Sequence, residues 1–474
     1  MASRQYMPEL ESMCPAQVKR ILDIKAQEMK DAVCLTKNYV PNGERVIYVS
    51  NSGDDANDGL SMERPIATIA RVGEIIQAGD TVLFKRGDHF RGAFDVKYDD
   101  VTYSAYGEGV KPIINGSRRN FADPAIWQET DKENVYVCTE KIVNAGLMHF
   151  DPEYTYGQYN ELYGHMKLRR EDDFSYKNLE GDLDFYNDRE TDLLYLYSAE
   201  GNPGERFLDI EIGENRHIFL GKADNVTIDN LWIMHTGSHG MGGASQSHNR
   251  RVTNCVFSWL GGSMLGGLKR QDGTYNTTRY GNAVEIYGSC YGYYVENNWM
   301  YQIYDTAITH QYGGYSPGDC IQRDVIYRDN LMEYCFWFIE FYNGEREGTY
   351  REVSNIYMTG NFCRYGGYGW GCKGREGGSP MFCGSHVCEN LHNFVAENNI
   401  FYQTLGYLVR LQDNPGARNI VVRNNIYVNP KGANLAFLYD NKYMFDDDVK
   451  KNLRELVHEE EPTVIYMKKP PVRF

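Results

Sequence analysis

The sequence predicts an all-β fold, a right-handed parallel β-helix in which short strands stack into a solenoid. The main observation is a phrase that occurs seven times after about residue 225, an alternating apolar and polar run that ends in Asn and is followed by two or three apolar residues. The asparagines recur at intervals of about 24 to 44 residues: Asn230, Asn254, Asn298, Asn330, Asn361, Asn399 and Asn425. Each copy is typical of one rung, because a single rung cannot bury its own apolar face.

The recurring asparagine is the second observation. Asn tolerates left-handed backbone at a corner, and its side-chain amide can bond to the amide of the next rung. We therefore expect an asparagine ladder along one corner of the solenoid. A β-sandwich or a propeller with chance Asn-Asn pairs is the alternative, which seven copies in register disfavour.

The remaining segments indicate a single elongated domain with additions. Residues 1–45 form an N-terminal helical arm, because apolar residues from about Pro15 to Val33 recur at helical spacing, and this arm is expected on the end of the solenoid. Residues 46–440 form the solenoid, with a capping helix at about 66–77. A β-rich insertion is expected at about 117–215, where the phrase vanishes and a hairpin pattern stands in its place. Residues 441–474 form a C-terminal cap and tail, with a helix at about 446–459.

Composition excludes several classes of partner. The balance of 49 Lys+Arg against 65 Asp+Glu gives a net charge of −16, which disfavours nucleic acid and acidic polysaccharides. No stretch is long and apolar enough to cross a bilayer, and the first residues lack the apolar core of a secretory signal. The chain is expected to be cytoplasmic, or secreted if a signal peptide has been removed. Homo-oligomers remain possible.

No cofactor motif is found, and no cofactor and no catalytic metal are expected. The loop SGDDANDG at residues 52–59 offers oxygen ligands for calcium, but the same composition is common in turns. Both interpretations stay open for this loop.

Candidate catalytic residues come from aligning the strands that follow the asparagine corners. When Val284, Ile308, Ile339 and Val409 are taken as core, the next residue of each strand points outward. This outward column reads Glu285, Thr309, Glu340, Trp370 and Arg410. The backbones of Glu285 and Glu340 would lie about 9 to 10 Å apart, since rungs are spaced by roughly 4.8 Å. Asp305 has the same parity at the entrance to its rung and offers a third carboxylate.

Paired carboxylates at this spacing suit glycoside hydrolysis, in either its retaining or its inverting form. Aromatic residues beside them suit sugar rings, whose C–H faces stack on aromatic faces. The candidates for substrate binding are His239, Tyr287, Thr309, Tyr342, Trp370, Glu376 and Arg410. Outward acids are also common on solvent-facing strands, and Glu340 could simply pair with Arg410 or Arg323. His310 has inward parity and is expected to be buried.

The chain resembles right-handed parallel β-helix proteins of gut bacteria that act on carbohydrates, and most of all glycoside hydrolase family 136, the lacto-N-biosidase type. The resemblance spans roughly residues 46 to 430, and the segments that bear on function are VTIDNLWIMHTGSHG, YGNAVEIYG, YQIYDTAITHQ and YGGYGWG. It implies an active site with two nearby aspartates, of which Asp305 matches one. Glu376, in CKGREGG, stands where the other acid is expected. Some members of the family need a helical partner or domain to fold, of which the short arm would be a remnant.

Together these features predict a glycoside hydrolase that cleaves a neutral oligosaccharide, with one carboxylic acid protonating the leaving oxygen and a second carboxylate acting as nucleophile or base. Glu285 and Glu340 are the first pair, and Asp305 can replace either. A β-helix lyase or epimerase is the alternative, but it needs cations to steady a carbanion, and only Arg410 and Arg323 are available. A non-catalytic carbohydrate-binding solenoid is the third possibility.

Overall fold

The strands stack in parallel into three sheets, which form the three faces of a right-handed parallel β-helix. A computed structural model describes residues 9–159, 162–167, 175–243, 246–313, 316–372, 380–411, 418–438 and 441–470, with the backbone alone at 385–387. The fold class predicted from the repeated phrase is confirmed.

Each sheet takes one strand from successive rungs. Sheet 1 contains Val46–Val49, Thr81–Lys85, Thr102–Tyr106, Thr227–Asp229, Ser247–His248, Arg251–Thr253, Cys290–Glu296, Cys320–Arg328, Arg351–Thr359, Asn390–Glu397 and Arg418–Arg423. Sheet 2 contains His89–Arg91, Ile113–Asn115, Trp232–Thr236, Val256–Leu260, Trp299–Ile303, Leu331–Glu333, Phe362–Gly366, Ile400–Thr404, Ile426–Asn429 and Thr463–Tyr466. Sheet 3 contains Val284–Tyr287, Thr306–Tyr312, Trp337–Asn343, Phe382–Val387, Val409–Leu411, Asn434–Leu438 and the antiparallel Asn441–Met444. The pair Phe94–Asp95 and Phe219–Leu220 precedes sheet 3 and joins it through bridges at Met241.

Columns of apolar side chains fill the interior of the solenoid. In sheet 1 the register places the following buried residues above one another: Ile228, Val252, Val295, Tyr327, Met358, Ala396 and Val422. Because neighbouring rungs lie roughly 4.8 Å apart, each of these groups contacts its equivalents above and below. The stack of rungs is therefore itself the core.

An asparagine ladder runs through one corner of the solenoid and is buried. The amide Nδ2 of each member donates to Oδ1 of the next at 2.9–3.0 Å in the series Asn298, Asn330, Asn361, Asn399 and Asn425. The same amides also donate to a backbone carbonyl, as Asn361 does to Tyr327 at 2.9 Å. The predicted ladder is confirmed for these five residues.

The first two asparagines of the repeated phrase are not part of this ladder. Asn230 and Asn254 have left-handed φ angles of 59° and 54°, and the register aligns Asn254 with Asn297, which is also left-handed. Leu231 and Cys255 follow them in the ladder position. The corner needs one residue that accepts left-handed backbone and then one that points inward, and a single Asn, as in Asp229–Asn230–Leu231, can occupy either position.

We expect Asn361→Ala to lower the free energy of unfolding by roughly 2–4 kcal/mol, because the substitution removes the side-chain acceptor of one buried N–H of the Asn330 amide and the side-chain donor to the buried carbonyl of Tyr327. Chemical denaturation followed by circular dichroism measures this loss. Asn419→Gly is the control, since Asn419 is exposed and glycine accepts its left-handed backbone. An equal loss in both variants would contradict a stabilising role for the buried ladder.

Helix α1 (Pro15–Cys34) lies along the outer surface of sheet 2. Its buried residues recur every three or four positions and pack against apolar side chains of that sheet: Val18, Leu22, Ala26, Met29 and Val33. Lys30 on the same helix lies 2.9 Å from the buried carboxylate of Glu333. The expectation of a helix on the end of the solenoid is wrong, because the outer face of sheet 2 is itself apolar and requires a cover.

Two other helices close the ends of the core. Helix α2 (Ile69–Ile75) buries Ile69 and Val72 against the first rungs, and α4 (Val449–Leu456) buries Val449 and Leu453 at the far end. The short helix α3 (Pro203–Arg206) lies between them in the chain, and 3₁₀ turns occur at Leu10–Ser12, Pro124–Ile126, Tyr176–Asn178 and Trp370–Cys372. Among the described residues, no helix is both long and apolar enough to cross a membrane.

Carboxylates of the loop at residues 52–59 bind backbone amides. Asp55 accepts hydrogen bonds from the backbone N–H groups of Ala67 and Thr68 and from the Thr68 hydroxyl, which begins the turn into α2. Asp54 and Asp58 each accept from a backbone N–H two residues later. These contacts are those of a turn that caps a helix.

Strands between Trp127 and Gly213 form separate sheets with their own buried cluster. One sheet contains His165–Met166, Asp184–Asn187, Leu194–Tyr197, Val135–Cys138 and Trp127–Glu129, and a second contains Leu162–Tyr163, Leu147–Phe150 and Ile210–Gly213. The predicted hairpin is present as the antiparallel pair Asp184–Asn187 and Leu194–Tyr197. A further hairpin, Ser263–Met264 with Arg279–Tyr280, leads directly into sheet 3.

Candidate active site

A column of outward side chains on sheet 3 contains three of the charged residues selected from the sequence, Glu285, Glu340 and Arg410. The register pairs Glu285 with Thr309, Thr309 with Glu340, Glu340 with Cys383 and Cys383 with Arg410. Glu285 and Glu340 are therefore two rungs apart on one face, with only Thr309 between them. At roughly 4.8 Å per rung their backbones lie about 9 to 10 Å apart.

Glu285 is held as a carboxylate by two donors. His239 Nε2 lies 2.9 Å from Glu285 Oε2, and Asn282 Nδ2 donates to the same oxygen at 2.7 Å. The backbone N–H of Asn282 donates to His239 Nδ1 at 2.9 Å, so the ring's proton is on Nε2 and faces Glu285. Burial alone would raise the pKa of Glu285, but His239 and Asn282 outweigh burial and lower it below the ordinary value.

A second histidine, His217, packs against the ring of His239. His217 stacks on His239 with ring centroids 4.7 Å apart, and burial lowers the pKa of His217 to about 4. Ser238 lies 3.1 Å from His217 Nδ1 and donates to the Tyr280 hydroxyl at 2.9 Å. Because Tyr280 ends the hairpin that leads into sheet 3, that hairpin positions the surroundings of Glu285.

Glu340 has the opposite environment. Only 5% of the residue is exposed, and Gln311 and Thr309 donate to its Oε2 at 2.6 and 3.3 Å. Burial, followed by repulsion from Asp305 and Glu285, raises the pKa of Glu340 to about 8, although the two hydrogen bonds act in the other direction. The charged groups that act on it most are thus carboxylates, and the alternative that Glu340 simply pairs with Arg410 or Arg323 is not supported.

Asp305 lies half-buried at the entrance to the strand Thr306–Tyr312. Its backbone carbonyl accepts the N–H of Trp337 at 2.9 Å, which anchors the beginning of the next strand of the sheet. Its carboxylate contributes to the raised pKa of Glu340. The three acids of the sequence analysis therefore interact electrostatically across adjacent rungs.

This arrangement gives Glu285 and Glu340 different protonation states. Near neutral pH, Glu285 is an anion and Glu340 is an acid with a proton to donate. Two titratable groups whose environments push their pKa values apart are suited to acid and base roles in one reaction. The column can therefore protonate one atom of a bound molecule and present negative charge to another.

Trp370 is not part of the column, and this prediction is wrong. Its place is taken by Cys383, because the chain inserts a segment with the 3₁₀ turn Trp370–Cys372 before the rung strand Phe382–Val387 begins. Trp370 is 5% exposed, and its Nε1 donates to the carbonyl of Gln302 at 2.7 Å. It packs against Trp259 and Tyr304 and so belongs to the buried cluster outside the solenoid's core.

The structure places the other predicted binding residues as follows. Tyr287 and Tyr342 are half-buried and share a second outward column with Gln311, two positions along from the acids. Thr309 is fully buried and binds Glu340. Glu376 lies outside the described residues.

His239 and His310 have contrasting surroundings. His239 is 4% exposed, and both of its ring nitrogens form contacts within the protein. It therefore orients Glu285, and the expected contact with a sugar hydroxyl is not available to it. His310 is buried as predicted and lies 3.0 Å from the Tyr327 hydroxyl, and burial lowers its pKa to about 3.

Gln311 and Asn282, which donate to Glu340 and Glu285, are absent from the sequence-based set. Gln311 has the same outward parity as Thr309, so extending the alignment by two residues would have identified it. Asn282 precedes the strand, and its carbonyl oxygen Oδ1 also accepts the backbone N–H of Thr306 at 2.8 Å. Only the folded corner shows that one asparagine joins His239, Glu285 and the next rung.

Comparisons with known proteins return solved structures alone. No family model matches the chain, and no curated protein matches it. A structure titled "Glycoside hydrolase" is 10% identical, with 90% of this chain and 97% of that chain covered and a TM-score of 0.49. A complex of XylC with xylose is 12% identical, with 89% and 82% covered and a TM-score of 0.43.

A GH136 lacto-N-biosidase from Eubacterium ramulus is also similar, with 12% identity, 95% of this chain and 71% of that chain covered, and a TM-score of 0.41. Other similar structures include a rhamnogalacturonan lyase and a pectate lyase. At these identities and TM-scores the likeness carries no argument about activity, so a function has to be argued from the contacts of the site.

Proposed function

We propose that this chain is a glycoside hydrolase that cleaves an oligosaccharide at the column formed by Glu285, Thr309 and Glu340. The observation that carries the proposal is the opposite perturbation of two carboxyl groups on one face of the solenoid, with the pKa of Glu285 lowered and that of Glu340 raised to about 8. Most enzymes that hydrolyse glycosidic bonds use one carboxylic acid and one carboxylate that flank the bond.

The environments of the two glutamates support the following roles. Glu340 donates its proton to the glycosidic oxygen as the bond to the anomeric carbon breaks, and the leaving sugar departs as an alcohol. Glu285 either attacks the anomeric carbon or takes a proton from an attacking water, and His239 and Asn282 keep it ionised and oriented. Asp305 helps to keep Glu340 protonated. Tyr287 and Tyr342 have the same outward parity two positions along the strands from the acids, and their half-buried rings offer a surface on which a sugar can stack.

A lyase has less support in the contacts. Arg323 lies on sheet 1 with 51% of its side chain exposed, where it contacts Asp324 and Tyr291, so it is not on the face of the acids. Among the residues that the structure describes on this column, Arg410 is the one cation that could stabilise a carbanion. A product that absorbs as an unsaturated uronide would nevertheless establish elimination over hydrolysis, and binding without turnover would establish a non-catalytic solenoid.

The activity is tested with a panel of nitrophenyl glycosides and of milk and mucin oligosaccharides. For a substrate that is cleaved, we expect kcat/KM to fall at high pH with an apparent pKa of about 8, because Glu340 protonates the leaving oxygen only while it retains its proton. At low pH the rate should fall only below the ordinary range of a glutamate, because the pKa of Glu285 is lowered. Initial rates from pH 3 to pH 10 measure both limits.

The variant Asp305→Asn provides the control for the alkaline limit. Removing its negative charge lowers the pKa of Glu340, so the fall in rate should move to lower pH while the acid limit stays in place. If the alkaline limit did not move, the group that causes it would not be Glu340. Turnover of no glycoside in the panel would count against hydrolysis itself.

A further inference from the structure

Arg410 lies on the same outward column as the acids, two rungs beyond Glu340. The register joins Glu340 to Cys383 and Cys383 to Arg410, so Glu285, Glu340 and Arg410 are evenly spaced along one face. With roughly 4.8 Å per rung, the backbone of Arg410 is about 9 to 10 Å from that of Glu340. An oligosaccharide aligned with the column would place a sugar near Arg410 while another is held between the acids.

Two aromatic side chains flank the guanidinium. Its Cζ is 5.9 Å from the ring centre of Trp337 and 5.8 Å from that of Phe437. Such faces hold a cation in place and reduce its hydration. They also provide apolar surface on which the C–H face of a sugar can stack.

Neighbouring donors at this position lack acceptors. Arg410 Nε and Trp337 Nε1 are both buried, and neither has a hydrogen-bond partner in the part of the chain that the structure describes. A buried N–H without an acceptor costs about 1–3 kcal/mol, so an oxygen that accepts from either donor would stabilise this position. Because one of the donors belongs to a guanidinium, an anionic oxygen satisfies them best.

We propose that Arg410 and Trp337 form a subsite for one anionic substituent, a carboxylate or a sulfate, on a sugar unit adjoining the one that is cleaved. This inference rests on the proposed function, and it names the substrate class as an oligosaccharide that is neutral at the cleaved unit and carries a single negative group beyond it. The net charge of −16 repels long polyanions, so a single charged unit fits this protein better than an acidic polymer does.

The test is the binding of three ligands to the wild-type chain by titration calorimetry: lactose, sialyllactose and sulfated lactose. We expect a charged ligand to bind at least about tenfold more tightly than lactose, since a charge-assisted bidentate contact contributes at that level. Sialyllactose and sulfated lactose distinguish a carboxylate from a sulfate. In Arg410→Ala the charged and neutral ligands should bind alike, and Arg410→Lys should recover only part of the preference because it lacks the planar fork.

The control is Arg323→Ala, which removes an exposed arginine on sheet 1 and should leave the preference unchanged. Equal binding of all three ligands by the wild type, or a preference that persists in Arg410→Ala, would overturn the subsite. Because binding needs no turnover, this result is read independently of the hydrolysis assays. Inactivity on every glycoside would refute the proposed function while leaving the Arg410 comparison interpretable.

Discussion

Glu340→Gln is expected to reduce kcat by roughly 10²- to 10⁴-fold, the range that general acid catalysis supplies. Glutamine has nearly the same shape and can keep contacts with Gln311 and Thr309, so the fold of the strand Trp337–Asn343 should be preserved. What it cannot do is donate a proton to the leaving oxygen. The loss should therefore be large for natural oligosaccharides, whose leaving groups are poor.

A change of leaving group makes this test specific. The dinitrophenolate group leaves a dinitrophenyl glycoside without being protonated. Hydrolysis of such glycosides should therefore be affected far less by Glu340→Gln than hydrolysis of alkyl glycosides or oligosaccharides. The alkaline limit near pH 8 should disappear in the variant, because the group that causes it is gone. Glu397→Gln, on sheet 1 in contact with Arg423, is the matched control and should retain full activity. An equal loss of kcat for all leaving groups would show that Glu340 is not the general acid.

Glu285→Gln is expected to have an effect at least as large, roughly 10³-fold or more, and the effect should not depend on the leaving group. The anion at Glu285 is required whether it attacks carbon or activates water, and a neutral amide does neither well. The contacts of Glu285 with His239 and Asn282 show that the folded chain favours its charged form over its neutral form.

Glu285→Ala with added azide or formate extends the comparison. A small anion that enters the vacated space can take over the reaction, and proton NMR of the first product reports its anomeric configuration. Rescue with inverted configuration would identify Glu285 as a nucleophile in a retaining enzyme. Activity of Glu285→Gln equal to wild type would show that Glu285 is not part of the reaction.

Much of the site could be predicted from the sequence because successive side chains of a β-strand point alternately inward and outward. Once Val284, Ile308, Ile339 and Val409 are assigned to the core, their neighbours must face outward, and parallel stacking sets them in a line. The same logic fails at Trp370. An insertion of unknown length between a corner and its strand shifts the register, and local sequence contains no measure of where the strand resumes.

The corners show the same limit. The repeated asparagines predicted a ladder correctly, but pairs such as Asn297–Asn298 did not reveal which member is left-handed and which is buried. The position of helix α1 could not be predicted either. Its apolar stripe indicates that the helix must pack against another surface, but not which surface that is.

The amino-acid order by itself determined the stacked architecture, the identity of the outward acids and their spacing, because these follow from periodicity along single strands. Tertiary structure alone decided their chemistry. Whether a glutamate is an acid or an anion at neutral pH depends on burial and on neighbours from other rungs: His239 and Asn282 contact Glu285, whereas Glu340 is buried and repelled by Asp305. These contacts exist only once the rungs have stacked, since a pKa reports the environment of a group and not its identity.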